Sequence, residues 1–406
     1  MSQDCFVLLP RDGLSVKDGR GWYTSEVGRG HSHPWPLPTT VRGALRAAWG
    51  QDLMTTQPGV RMTPAEWEQR SAGVKLTRFV ALRRFFAESP FELAHRMWPF
   101  PADAVLVGAE KGPVGRVEHL LPHRPAAGRS ASTLGPDEDS AREGLWHPRR
   151  VSRGKPSTAP RFWSEAEMVC WLLGHDVAVP QELSPEQRTD LHVSIDPSRQ
   201  TAEDSMLHSR QVVELLRLER EGEKAPRAVE WALGLCCEQP ERDAVRGFPS
   251  GVLGLGGRRR LTDVERVTPD LFACPPEFKP KASKGLRLVL ATPACFARGW
   301  LPDGFARDAG LYVGSLPKVA GPVVLRAALV PRAQDVSAWD MVKKEPRQTR
   351  RWVPAGAVYF FEKQRGDDFT AEELRALWLA SWGGGHEEAL GQVLPGVWTP
   401  PPASGA

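Results

Sequence analysis

The order of apolar runs between Leu286 and Trp398 constrains the fold more than any other feature of the chain. Leu286 to Leu290 and Val323 to Val330 are short aliphatic runs bounded by turn residues, and each reads as a strand. Trp352-Val-Pro-Ala-Gly-Ala-Val-Tyr-Phe-Phe reads as a third strand, and Leu390 to Trp398 as a closing one. Between those two, Thr370 and Glu373 have capping-box spacing ahead of a helix that extends to Trp382. With a connecting element after Thr292, the order is close to β-α-β-β-α-β. The fold class expected is α/β (α+β).

The upstream chain reads the same way, with insertions. Cys5 to Leu9 is an opening strand, and Pro38 to Trp49 a helix with a threonine as N-cap. Val41, Leu45, Ala48 and Trp49 share one helical face and Arg42 and Arg46 another, while Gly43 is expected to admit another backbone at close range. Ala104 to Val107 reads as a strand, and Trp163 to Gly174 as a helix capped by Ser164 with Glu167. A strand at 191–197 is followed by a polar loop at 198–209, expected to project. Gln211 to Leu218 and Ala228 to Leu235 read as a strand pair, and Arg260 to Val267 as the last strand. Residues 122–160 are rich in Pro, Gly, Ser and Arg and read as a long loop or insertion. A chain of 406 residues exceeds one ordinary core, and the proline cluster at Cys274 to Pro280 marks the boundary. The expectation is two ferredoxin-like (RRM-like) βαββαβ domains, 1–275 and 276–406.

Gly251 to Leu261 (Gly-Val-Leu-Gly-Leu-Gly-Gly-Arg-Arg-Arg-Leu) is the stretch with the clearest chemistry. Gly254, Gly256 and Gly257 allow close backbone approach, so that N–H groups can converge on an anion. Arg258, Arg259 and Arg260 supply guanidinium groups suited to phosphate oxygens. The dinucleotide fingerprint would need glycine at Arg259, and the ATPase loop would need lysine at Gly257, so a nucleotide cofactor is disfavoured. A phosphodiester backbone fits better. Charge is unevenly spread: 111–161, 251–300 and 343–365 are basic, whereas 181–250 is acidic. This alternation favours one surface for nucleic acid and another for a protein partner.

Catalytic and metal-binding patterns are sparse. The six cysteines show no C-x-x-C spacing and no disulfide framework, and no zincin or nucleophile-elbow motif occurs. His31 and His33, on a glycine-rich loop, are the only candidates for general acid–base cleavage of RNA. No catalytic residue, cofactor or metal is expected, and neither is a membrane span; the expected setting is the cytoplasm.

Several stretches together resemble one family. His192-Val-Ser-Ile-Asp followed by Thr201-Ala-Glu-Asp-Ser-Met-Leu-His-Ser is similar to the "HVGID…TAEEGMLFS" signature of the third subunit of the Cmr complex, the type III-B CRISPR effector. Leu255 to Leu261 resembles that family's "LGGERR" loop, with Arg258 at the glutamate position. Pro38 to Arg46 is similar to its first helix, Arg351 to Phe361 to "VPAGSVYFF", and Leu394-Pro-Gly-Val-Trp to its C-terminal end. The resemblance implies a non-catalytic member of the RAMP superfamily that holds the repeat-derived 5′ tag of crRNA. It also implies docking to the large polymerase-like subunit and the first backbone RAMP subunit, with indirect access to target RNA. The tag would cross Gly254, Gly256, Gly257 and Arg258 to Arg260, with Arg42 and Arg46 nearby. Arg199 and Met206 on loop 198–209 would bend the strand and wedge beside a base. The alternative is a metal-independent endoribonuclease that uses His31 and His33 on repeat RNA.

Overall fold

The computed structural model describes the chain except residues 1–3, 19–28, 31, 58, 87–89, 109–114, 125–143, 150–154, 180–183, 220–224, 241–244, 246, 250 and 403–406. In chain order its main elements are β1 (Asp4–Pro10), β2 (Arg29–Gly30), α1 (Pro38–Thr56), α2 (Pro64–Ser71), β3 (Lys75–Phe85) and β4 (Arg96–Pro99). There follow β5 (Phe162–Ser164), α3 (Glu165–Leu172), β6 (Gln187–Asp196), β7 (Thr201–Val213), β8 (Leu216–Glu219) and β9 (Arg227–Glu238). β10 (Val252–Leu255), β11 (Arg260–Val267), β12 (Gly285–Leu290), β13 (Ala306–Asp308), β14 (Leu311–Gly314) and β15 (Val323–Leu329) come next. β16 (Val358–Lys363), α4 (Ala371–Ala376) and β17 (Val393–Trp398) complete the set. The fold is mixed α/β, mostly strands with few helices.

Two large sheets organise these elements. The first has eight strands in the order β10-β11-β1-β9-β3-β4-β5, with β8 beside β9; the second has six, in the order β13-β14-β15-β16-β12-β17. Each contains a central quartet with one ordering, β11-β1-β9-β3 and β17-β12-β16-β15, antiparallel throughout. Helices are fewer than expected. Among the described residues no helix lies between Thr292 and β15, where loops and the β13–β14 hairpin make the connection. The expected helix to Trp382 stops at Ala376, and Leu379 (φ 55°) turns the chain so that Trp382 enters the core. The expected strand 352–361 is broken at Pro354, and only Val358–Lys363 joins the large sheet.

Strand alternation decides which side chains meet. On β1, Phe6 and Leu8 pack outward against Val41, Leu45, Trp49 and Leu53 of α1. Cys5 and Val7 point inward. On β16, Tyr359 and Phe361 face α4, whereas Val358 and Phe360 point inward. The two inward faces share one core, filled by α3 with Trp98, Trp163, Trp171, Phe278 and Trp378. Each fully buried aromatic or aliphatic side chain there contributes about 1.5–3 kcal/mol. α3 starts as expected, with Ser164 accepting from the Glu167 N–H and Glu167 accepting from the Ser164 N–H.

Two ion pairs lie inside this shared core. Arg96 donates to both oxygens of Glu165 (2.9 and 2.6 Å) and to the carbonyls of Leu271 and Ala273. Arg287 reaches Asp103 at 2.8 Å, and the other Asp103 oxygen accepts from Trp171 Nε1 at 2.9 Å.

Three further expectations change. α1 has Leu37, not a threonine, at its N-cap, and Pro38 begins the helix. A Cβ on Gly43 would meet nothing within 4 Å, so no described backbone packs against it there. Cys5 and Cys236 are joined as a disulfide, although no framework was expected. The antiparallel register of β1 and β9 sets them directly opposite, a proximity that their separation of 231 residues conceals. Most of the 122–160 insertion lies outside the described residues.

Candidate nucleic-acid interface

β10 and β11 pair antiparallel from Leu255 opposite Arg260 outward, and residues 256–259 form the turn between them. Gly256 (φ 66°), Arg258 (φ 62°) and Arg259 (φ 49°) are left-handed. Glycine adopts this conformation without cost, whereas each arginine is destabilised by roughly 1–2 kcal/mol. A Cβ on Gly256 or Gly257 would stand 3.1 Å from the Ser15 carbonyl oxygen. The Gly257 N–H donates to that oxygen at 2.8 Å. This corrects the expectation of an open anion cradle: the chain's own backbone uses this N–H, and the glycines seat the turn on the segment after β1. Gly254 sits opposite Leu261, with Arg259 packed over it. Arg258 and Arg259 are exposed, while Arg260 is half-buried and pairs with Asp12 at 2.7 Å.

The second part of the interface is the β6–β7 hairpin. Residues 198–209, expected as a loop, are a tight turn and then most of β7, because the ladder with β6 satisfies a polar strand as well as an apolar one. Asp196 sets the turn by accepting from the Ser198 N–H (2.8 Å), the Ser198 hydroxyl (2.6 Å) and the Arg199 N–H (3.3 Å). These bonds, the Ser198 hydroxyl foremost, hold Asp196 below the usual carboxylate range. Arg199 stands at the tip, 81% exposed, its guanidinium 3.9 Å from Asp196. Met206 falls within β7, and its side chain lies outside the described residues.

The hairpin is inverted relative to an ordinary surface strand pair. Leu191, Val193, Ile195 and Leu207 are exposed, whereas Asp190, His192, Ser194 and Arg210 are half-buried. On the polar face, His192 lies opposite His208 in register, with ring centroids 5.2 Å apart. Asp190 bridges Arg188 (2.8 Å) and Arg210 (3.2 Å). Burial, then the charges of Arg258, Arg210 and His208, push the His192 pKa below its ordinary value. Arg258 therefore acts across the gap between turn and hairpin.

The two parts share one anchor, residues 12–17. Leu14 exchanges backbone hydrogen bonds with Val213 at the foot of β7, and Ser15 bonds Ser32, which donates to the Gln211 carbonyl. β2 adds a third strand beside Ser209 and Arg210. His192 and His208 lie in the two signature stretches, but nothing in the sequence paired them or singled out this anchor or Arg210.

Other candidate residues lie elsewhere. Arg42 donates to the carbonyls of Val74 and Ala72 and pairs with Glu388, each at 2.9 Å. Arg46 bonds Ser71 and Glu68 and lies over the Trp67 ring at 4.7 Å. These guanidiniums brace α1 against the following segment and do not join the turn. His31 lies outside the described residues, and His33 is buried, its backbone N–H donated to the Val16 carbonyl. Among the described residues no helix is long and apolar enough to cross a membrane.

Comparison with known proteins supplies the family. No curated protein matches the chain. A structure described as the type III-B Cmr-beta bound to cognate target RNA and AMPPnP is similar at 12% identity and a TM-score of 0.41, covering 88% of this chain and 86% of that one. A second, of Cmr-beta bound to cognate target RNA, gives 12% identity and a TM-score of 0.39 over the same shares. The family model for the CRISPR-associated protein Cas_Cmr3 matches residues 6–398, nearly the whole chain. This chain belongs to the Cas_Cmr3 family of CRISPR-associated proteins.

Proposed function

We propose that the chain is a non-catalytic crRNA-binding subunit of a type III-B Cmr effector and holds the repeat-derived 5′ tag of the guide. The observation that carries this reading is the common anchoring of two cationic elements on residues 12–17. One is the turn with the exposed Arg258 and Arg259; the other is the hairpin tipped by Arg199. Exposed guanidiniums held on short ordered turns suit the phosphates of one strand. A tag common to every guide needs no reading of variable bases, so backbone contacts and a few splayed bases suffice.

In this reading Gly254, Gly256 and Gly257 shape the turn, Arg258 and Arg259 take phosphates, and Arg260 steadies the turn through Asp12. The exposed apolar flank of the hairpin, together with Met206, wedges beside a base and bends the strand. Arg42 and Arg46 act as struts. The two central quartets are ferredoxin-like cores, each reduced to one of its two helices. The large polymerase-like subunit and the first backbone subunit dock on surfaces away from the turn, target RNA is met indirectly through the guide, and the assembly works in the cytoplasm.

The test is binding of the purified full chain to a labelled RNA carrying the host's repeat-derived 5′ end, over a series of salt concentrations. Arg199→Ala, Arg258→Ala and Arg259→Ala together should weaken binding about 10- to 100-fold at low salt. They should also flatten the salt slope by roughly 0.7 per lost phosphate contact. An unchanged slope removes these residues from the RNA path. Met206→Ala should leave the slope intact while exposing the tag to nuclease; unchanged protection removes the wedge.

A further inference from the structure

We propose that His192, His208, Arg210 and Arg258 together form a seat for one phosphate group of single-stranded RNA, between the hairpin and the glycine–arginine turn. The inference rests on the RNA-binding reading above and assigns a subsite that the sequence did not mark.

Four observations converge on it. His192 and His208 are cross-strand partners with stacked rings, 26° from parallel, so their ring edges lie side by side. Arg210 is two residues from His208 on β7 and therefore on the same face. Two nitrogens here are buried without a hydrogen-bond partner among the described residues, His192 Nε2 and Arg210 Nε. A buried polar nitrogen left unmatched costs about 1–3 kcal/mol, and a ligand that supplies acceptors removes that cost. Finally, Arg258 on the turn reaches the same place electrostatically, since its charge acts on His192.

The charges around the seat favour an anion. From the hairpin come Arg188, Asp190, His208 and Arg210, and from the turn Arg258; Asp12 and Glu214 lie at the far side, against Arg188. Asp190, the acid among the described residues whose charge acts on the ring, is already shared between Arg188 and Arg210. Continuity with Arg258 and Arg259 on one side and Arg199 at the tip identifies the anion as RNA phosphate, not a protein carboxylate.

The seat is sensitive to protons. In the free chain, burial and the neighbouring guanidiniums keep His192 neutral at pH values where an ordinary imidazole is partly charged. A phosphate reverses that balance by favouring the doubly donating imidazolium. RNA binding therefore takes up a proton. Affinity rises as pH falls through the ordinary imidazole range, and levels off once His192 is charged in the free chain as well.

The experiment uses the full chain and a labelled single-stranded RNA oligonucleotide at constant salt. Wild type should bind about tenfold more tightly near about pH 5.5 than near about pH 7.5. His192→Gln should reduce that ratio to about threefold or less. His208→Phe, which keeps the stacked ring at an exposed position, should reduce it partway and decides the matter if His192→Gln fails to fold. Arg199→Ala should lower affinity equally at both pH values. Wild-type binding that ignores pH, or variants that keep the full ratio, would overturn the seat while leaving the RNA-binding reading intact. A polyaspartate peptide that competes as well as RNA overturns the choice of phosphate. No RNA binding at any pH would overturn both.

Discussion

Arg287 and Arg258 are the same residue type placed under opposite regimes. Arg287 is 1% exposed between the two sheets and faces one carboxylate, Asp103, which also serves Trp171. Arg258 stands on an exposed turn in a left-handed backbone conformation, with no carboxylate paired to it among the described residues. Arginine far outnumbers lysine among the 53 basic residues, and that abundance alone separates none of them by role. The surroundings do. In the core, desolvation makes the pairing obligatory, because an unpaired buried charge is far costlier than a lost surface contact. At the turn, the chain carries backbone strain and leaves a cation free.

The largest test of this contrast is Asp103→Ala. It leaves Arg287 buried without its counter-ion and Trp171 Nε1 without an acceptor, and should cost about 3–5 kcal/mol in urea denaturation. Replacing both partners with apolar residues, Asp103→Leu with Arg287→Met, should recover most of the loss. A cost under about 1 kcal/mol for the single variant would erase the distinction between core and surface.

Arg258→Gly probes the other side. Relief of the left-handed strain should outweigh the added freedom of the unfolded chain and stabilise the fold by several tenths to about 1 kcal/mol, while RNA affinity falls. Opposite signs for stability and binding would mark a residue kept for its ligand. A drop in stability would show instead that Arg258 has a structural partner.

The smallest effect concerns Asp196. Its folded pKa is depressed, so its contribution is present above the unfolded carboxylate value and is lost as pH falls through the folded one. Amide protection at Ser198 and Arg199 should fall over that acidic interval, with no change in the protection of core strands. Uniform loss across the sheets would mean that the tip and the core are not separate.

Local signals were legible in the sequence and distant pairings were not. The capping boxes at Ser164 with Glu167 and Thr370 with Glu373 stand where spacing put them, and so do β11, β12 and β15, because propensity and alternation act within a few residues. β7 was hidden because its polar residues are satisfied by a ladder to β6, a fact about a partner strand. The glycine–arginine stretch announced itself, but not that Ser15 would take its Gly257 N–H. Arg42 and Arg46 looked available for the same reason: Val74, Ala72 and Glu388, which occupy Arg42, are remote or unpatterned in sequence.

The core shared between the two sheets has a consequence for how the chain is made. The first sheet is complete when Val267 leaves the ribosome, yet Val80, Leu82, Trp98 and Trp163 on its inner side, covered until then by α3, share their core with Val289, Phe360 and Leu394, which come later. More than a hundred further residues must be synthesised before that core closes. Until then the nascent protein carries apolar surface, and its yield in the cell depends on translation speed and chaperone supply as much as on final stability.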